Sequence, residues 1–190
     1  MFGHLGASKK RWGAMAGASV ALVFGAMVLF PSNAWAVDDS VDSWQINYTV
    51  GTDGVVHVEE TLIYRFGSDS GRHGIDRTFV TREAWGNTDQ DATYFINHLK
   101  VTSPNAPSRT WLDNEGSGRN QQLRVRIGSL TYRITSPTAT YRLTYDVVGA
   151  MRSSDSYDEF YWNVISGNTP LVQDITVTVT VPGGAQDVAC

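Results

Sequence analysis

Residues 44–66 read WQINYTVGTDGVVHVEETLIYRF. In the first part Trp44, Ile46, Tyr48 and Val50 alternate with polar neighbours, and in the second Val56, Val58, Leu62, Tyr64 and Phe66 share one parity. A period of two sends alternate side chains to opposite sides of an extended chain, so each part reads as a half-buried strand. Gly51-Thr52-Asp53-Gly54 between them carries the residue types of a tight turn. The stretch therefore predicts an antiparallel β-hairpin.

Working outward, the same alternation recurs. Phe95, Asn97, Leu99 and Val101 oppose Tyr94, Ile96, His98 and Lys100. Residues 109–113 form another run, followed by a turn through Asn114-Glu115-Gly116-Ser117-Gly118. Leu123, Val125 and Ile127 alternate with Gln122, Arg124 and Arg126, residues 131–135 make a short strand, and Tyr141, Leu143, Tyr145 and Val147 line one face of the next. Residues 159–165 are aromatic and compact; Ile175, Val177, Val179 and Val181 alternate with threonines before Pro182-Gly183-Gly184. Between Arg72 and Arg82 no period is sustained, and that segment reads as a long connection with its own packing. Short strands separated by turns, with no helical period, predict an all-β fold, an antiparallel β-sandwich of about eight or nine strands. A closed barrel is the alternative. The chain shows no propeller or solenoid repeat and no low-complexity stretch.

The N-terminus has a different character. Lys9, Lys10 and Arg11 precede an uncharged apolar run from Gly13 to Phe30, Pro31 breaks it, and Ala34-Trp35-Ala36 fits a signal-peptidase site. Residues 1–36 thus read as a signal peptide, with the mature chain starting at Val37. An uncleaved anchor is the alternative, and both readings export residues 37–190. Without the three leader cations, 12 of the 15 basic residues face all 19 acidic ones, a balance of −7. That excludes nucleic acid and anionic lipid as expected partners, because Arg124 and Arg126 are too small a patch to neutralise phosphates. The single cysteine, Cys190, is the last residue. It suggests a disulfide to a partner that the chain lacks, with a free thiol as the alternative.

Two clusters carry candidate chemistry. Arg72-His73-Gly74-Ile75-Asp76-Arg77 groups cations, an imidazole and a carboxylate around a glycine able to make a tight bend. These residues suit anion binding, or Arg72 or Arg77 could pair with a carboxylate such as Asp158 or Glu159 and pin the loop to the sheets; the second role is favoured. In Asp158-Glu159-Phe160-Tyr161-Trp162-Asn163, neighbouring carboxylates point to opposite sides of a strand, so Asp158 and Glu159 cannot alone form the facing pair that glycoside hydrolysis needs. Phe160 and Trp162 read as core, while Tyr161 or Trp162 could serve as a stacking platform. His57, His73 and His98 fall on different elements without ligand spacing, so no zinc site is expected. The motifs of nucleotide, serine-hydrolase and calcium sites are missing, and no cofactor is expected. Asn47-Tyr48-Thr49 is a chance-level glycosylation sequon within a strand.

The order of four motifs resembles a known family: Arg72-His73-Gly74-Ile75-Asp76-Arg77, Arg126-Ile127-Gly128, Tyr145-Asp146-Val147-Val148-Gly149-Ala150, and Asp158-Glu159-Phe160-Tyr161-Trp162-Asn163-Val164. It is the predicted bacterial membrane proteins of domain of unknown function 2207, and the resemblance covers about residues 40–190. It implies a signal peptide, an extracytoplasmic β domain, then transmembrane helices and a Gly-rich tail, so that residues 37–190 stop short of a membrane tether. Two departures stand out: Thr169-Pro170-Leu171 where the family usually shows a tryptophan, and the absence of those helices. The family brings no established activity or ligand residues. The expected function is thus a non-enzymatic extracytoplasmic interaction or scaffold domain whose partner is a cell-envelope protein or glycan. The alternative is a carbohydrate-binding or carbohydrate-cleaving cell-envelope module using Tyr161 or Trp162 with Asp158 or Glu159.

Overall fold

The computed structural model describes residues 38–68, 71–153, 156–166 and 168–187. Residues 1–36, read above as a signal peptide with its cleavage site, and Cys190 lie outside them. The hairpin at residues 44–66 is present: β1 (Ser40–Val50) and β2 (Val56–Arg65) pair antiparallel from Val50 opposite Val56 to Ser40 opposite Arg65. Its turn is closed by the Gly51 N–H on the Val55 carbonyl at 2.8 Å, and Asp53 Oδ1 accepts from the Val55 N–H at 3.1 Å.

Two further strands and an edge pair complete this sheet. β8 (Thr138–Val148) lies against β2, and β5 (Phe95–Thr102) against β8, both antiparallel. On the far side of β1 run β11 (Leu171–Val172) and β12 (Ile175–Thr180), both parallel to it. The second sheet has the order β4 (Asp91–Thr93), β3 (Gly74–Ala84), β7 (Asn120–Gly128), β6 (Arg109–Ser117), all antiparallel. A small third pair joins β9 (Met151–Ser153) to β10 (Asp158–Phe160).

The two large sheets form a β-sandwich. The inner rows are Trp44, Ile46 and Tyr48 on β1, Val56, Val58 and Leu62 on β2, and Tyr141, Leu143 and Tyr145 on β8, facing Ile75 and Phe79 on β3 and Val125 and Ile127 on β7. Phe79 meets Tyr145 across the interface, ring centroids 4.9 Å apart and tilted 63°. Burial of these rows is the main stabilising term, each large apolar side chain contributing ~1.5 to 3 kcal/mol.

Four expectations need correction. The segment read as a loop from Arg72 to Arg82 is mostly β3, an inner strand of the second sheet. Its period is disguised because Arg77 occupies the inward row between Ile75 and Phe79, and because an irregularity between Val80 and Arg82 resets the parity. The turn placed at residues 114–118 falls later: β6 runs to Ser117, and Gly118 and Arg119 make the bend. Residues 131–135 form no strand; Ile134 is buried and its N–H bonds the Arg72 carbonyl at 2.8 Å. Of the aromatic run 159–165, only Glu159 and Phe160 lie in a strand. No helix among the described residues is long and apolar enough to cross a membrane.

Candidate functional site

The cluster from Arg72 to Arg77 is divided among separate partners. Gly74 does not make a bend. It opens β3 opposite Gly128, and a Cβ there would sit 1.9 Å from the Ile127 carbonyl oxygen, so glycine is required by close backbone approach. Arg72 donates to Asp39 at 2.9 Å; that carboxylate also accepts the Tyr64 hydroxyl at 2.7 Å and the Gly67 N–H at 2.8 Å. Asp76 points outward to Arg124, whose Nε and Nη2 reach its Oδ2 at 3.0 and 2.5 Å. His73 is half-buried, and its backbone carbonyl accepts from the Ser129 N–H at 2.9 Å.

Arg77 takes the opposite direction, into the sandwich. Its partner is Glu60, and not Asp158 or Glu159, because the alternation of β3 aims position 77 across the gap at β2. The Glu60 side chain is fully buried and that of Arg77 is 6% exposed. Nη2 lies 3.0 Å from Oε1 and Nε 3.2 Å from Oε2, a two-point contact between planar groups. Nη1 donates to the Thr78 carbonyl at 2.8 Å and Nη2 to the Val164 carbonyl at 3.2 Å. The guanidinium carbon sits 4.7 Å from the Trp44 ring centre and 4.4 Å from that of Phe79. The Tyr145 hydroxyl donates to Glu60 Oε1 at 2.5 Å.

The electrostatics follow from that enclosure. Burial works against the Arg77 charge, but Glu60 outweighs it and holds the guanidinium above its ordinary value. Burial, reinforced by the Glu60 charge, pushes the Tyr145 and Tyr48 hydroxyls well up. Both tyrosines therefore stay protonated at any physiological pH. The carboxylate is held by donors from both sheets, Arg77 on β3 and Tyr145 on β8, an arrangement suited to locking the sheets in register and poorly suited to moving protons. Tyr145→Phe removes a hydrogen bond to a charged acceptor and is expected to cost about 1.5 to 3 kcal/mol, measured by urea unfolding.

The second cluster surrounds Arg152. Its guanidinium lies 3.6 Å from the Tyr161 ring centre and 4.7 Å from that of Trp85, and each ring's residue is 38% exposed. Glu83 stands 3.8 Å and Glu159 3.9 Å away, and Arg152 donates to the Tyr94 hydroxyl at 3.2 Å. Tyr94 in turn donates to Glu83 at 2.7 Å, and Asn163 donates to Glu83 at 3.1 Å. Burial first, then Glu83, pushes the Tyr94 hydroxyl up to about 12. Trp162 packs edge-on against Tyr94 at 5.2 Å and 86°, against the core, and is not an open platform. Asp158 bonds Ser153 within the small β9 and β10 pair.

A third constellation escaped the sequence reading. His57 on β2 and His98 on β5 flank Asp146 on the intervening β8, with Nδ1 to carboxylate distances of 2.6 and 2.7 Å. The strand order brings together residues that are 89 and 48 positions from Asp146. His98 lies in a bulge on the exposed face of the sheet and adopts a positive φ of 54°, unusual for a side chain with a Cβ. The hydrogen bond from His98, and that from His57, hold the Asp146 carboxyl below its usual value. A carboxyl depressed in the folded state contributes stability that is present above its unfolded pKa of ~3.9 and is lost as pH falls through the folded value. Asp146→Asn is thus expected to flatten the fall of the unfolding midpoint below about pH 4, followed by thermal melts at stepped pH. An unchanged acid limb would remove Asp146 from that role.

A cleft of about 310 Å³ lies beside β3, between Ile75, Asp76, Arg77 and Thr78 on one side and Ser166, Asn168, Thr169 and Pro170 on the other, with Glu115 and Arg124 also on its wall and the buried Trp44, Leu62 and Tyr64 at its base. None of Asp158, Glu159, Tyr161 and Trp162 lines it, so the two sequence clusters do not converge on one site. No group of three or more His, Cys, Asp or Glu among the described residues is placed to hold a metal ion.

Comparison with known proteins places this architecture. None of the curated proteins matches the chain. Residues 40–189, the whole sandwich with its buried Glu60 and Arg77, match the family described as Predicted membrane protein (DUF2207) N-terminal domain, and the chain belongs to that family.

Proposed function

We propose that the sandwich is a non-enzymatic interaction or scaffold domain of a membrane-associated protein, working outside the cytoplasm. The observation that carries this reading is the placement of Arg77. The one motif cation that enters the interior is held by Glu60 and by backbone carbonyls, and so supports the fold where an active-site cation would face a substrate. Membership of a predicted membrane protein family supports the membrane association. The leader-like residues 1–36 support export. The test has two parts. An alkaline phosphatase fusion after residue 187 is expected to be active only when residues 1–36 are retained. Incubation with cell-envelope glycans and peptides is expected to give no turnover; turnover lost in Asp158→Asn or Glu159→Gln would overturn the reading.

A second reading, a carbohydrate-binding module, retains one supporting observation. Tyr161 and Trp85 expose aromatic surface beside Glu83, Glu159 and Asn163, a mix of flat apolar faces and hydrogen-bonding groups that suits a sugar. Trp162 drops out of it. Glycan binding lost in Tyr161→Ala and retained in Trp162→Phe would favour this reading.

A further inference from the structure

We infer that β12 is a self-association edge: two copies of the chain pair antiparallel through β12 about a two-fold axis at Thr178, joining the sheets that carry β1 into one. The inference rests on the interaction reading and names the partner as a second copy of this chain.

The first support is free backbone. The Trp44 N–H bonds the Asp174 carbonyl at 2.9 Å, and β12 then runs parallel to β1 without a register shift, from Ile175 opposite Trp44 to Thr180 opposite Thr49. In a parallel ladder alternate residues turn both main-chain groups to the neighbour. Thr176 and Thr178 therefore bond β1, and the N–H and C=O of Ile175, Val177 and Val179 point the other way. Among the described residues no strand pairs with that side. Every residue of β12 is exposed, on both faces of the sheet.

The second support is what this edge lacks. An unpaired edge invites another strand, and proteins blunt it with charge, proline, a bulge or shortness. The other outer strands are blunted in these ways. β5 has a bulge between Asn97 and Lys100 with His98 at positive φ, β4 is three residues long, and β6 carries Arg109, Asp113 and Glu115. Ile175–Thr180 has no charge, proline, glycine or bulge. Its Ile175, Val177 and Val179 continue the inward row of Trp44, Ile46 and Tyr48, yet are 39–45% exposed where those are at most 2%. The core row thus extends past the cover that the rest of the domain provides.

The third support is self-complementarity. ITVTVTV at residues 175–181 presents the same residue classes in both directions about Thr178. An isologous pair needs that symmetry, since each position meets its counterpart across the axis. In this register Val177 of one copy exchanges both main-chain bonds with Val179 of the other, Thr176 faces Thr180, and Thr178 faces Thr178, so β-branched side chains pair at every step. The ladder ends at Val181, whose carbonyl already accepts from the Gly184 N–H. Charge does not oppose the pairing. Gln45, Asn47 and Thr49, the adjacent outward row of β1, are neutral. The flanking Asp174 of each copy falls roughly 25 Å from its counterpart, well beyond the screening length of ~10 Å.

The test uses the chain as exported from cells expressing residues 1–190 with Cys190→Ser, followed by sedimentation equilibrium. The expected result is a mass that rises from one copy to two with concentration. A single strand pair is small against the ~1,200 Å² of stable complexes, so a dissociation constant on the order of tens of micromolar is expected. Val177→Lys and Val179→Glu, both at exposed edge positions, are each expected to weaken association by about tenfold or more while the thermal midpoint is kept. The chain carrying both changes is expected to recover association, because the register sets each lysine opposite a glutamate. Thr178→Cys, at the axis with Cα atoms ~4.5 Å apart, is expected to form a disulfide dimer on mild oxidation, and Thr176→Cys, ~13 Å from its counterpart, is not. A chain that stays single at millimolar concentration would overturn the inference and leave the edge to a strand of another protein. Association that neither charge weakens, no recovery in the double variant, or equal cross-linking at 176 and 178 would overturn it too. Each of these outcomes leaves the interaction reading standing, which fails only on turnover.

Discussion

Replacing Arg77 with alanine is expected to lower the free energy of unfolding by about 3 to 5 kcal/mol, read from urea denaturation with the slope held in common. The size of the effect comes from what is left behind. Glu60 is fully buried, and without the guanidinium its remaining side-chain partner among the described residues is the Tyr145 hydroxyl. A buried carboxylate missing its counter-charge loses the attraction that offset its desolvation, and the two carbonyls that Arg77 served, at Thr78 and Val164, lose a donor as well. The ring contacts to Trp44 and Phe79 go with it, so the loss is one of packing too. Arg65, paired with Asp42 at the surface, is the natural control, and its removal is expected to do far less. A loss below about 1 kcal/mol at Arg77 would mean that its side chain is solvated.

Gly74→Ala is expected to be the next most damaging change, at about 3 kcal/mol, the upper part of the range for overpacking. The added Cβ would lie 1.9 Å from the Ile127 carbonyl oxygen and 2.8 Å from the Gly128 Cα, both backbone atoms that no side-chain rotation can move aside. The two strands would have to separate at the start of their ladder, where Gly74 faces Gly128. Thermal unfolding of the variant checks this. Retention of the parent midpoint would show that β3 and β7 do not approach this closely at Gly74.

The two results bear on how far residue order reveals this protein. The hairpin of β1 and β2 is legible because each inward row is continuous enough for a period of two to show, and Gly51 to Gly54 mark its turn. β8 is legible for the same reason, and β12 because isoleucine and valine alternate with threonine although all of its residues are exposed. β3 is not, because the residue that holds the sandwich together is the one that breaks the pattern: Arg77 looks like a surface residue until its parity with Ile75 and Phe79 is weighed. Glu60 is hidden in the same way between Val58 and Leu62. Counting parity through the charge, and noting two opposite charges in the inward rows of two strands, is the signal that would have paired them. The choice of Asp158 or Glu159 as partner failed because the packing of the two sheets, which sets Arg77 on β3 against Glu60 on β2, decides the pairing. His57, His98 and Asp146 could not have been joined from the sequence, since their meeting depends on β8 lying between β2 and β5. The cleft is equally hidden, because it forms where Ser166, Asn168, Thr169 and Pro170 pass beside β3, distant in sequence.

The interior pair also fixes what kind of site the family motif makes. A buried ion pair adds little net stability compared with apolar residues of similar shape, so its value here lies in specifying which row of β3 faces β2. That claim is tested most directly by a double-mutant cycle of Glu60→Leu and Arg77→Met in a Tyr145→Phe background, so that no hydroxyl is left without its acceptor. Each single change orphans a charge and is expected to be strongly destabilising, whereas the double variant is expected to regain about 2 kcal/mol or more over the sum of the singles. Additivity within about 0.5 kcal/mol would show that Glu60 and Arg77 do not act on each other, and would contradict the account.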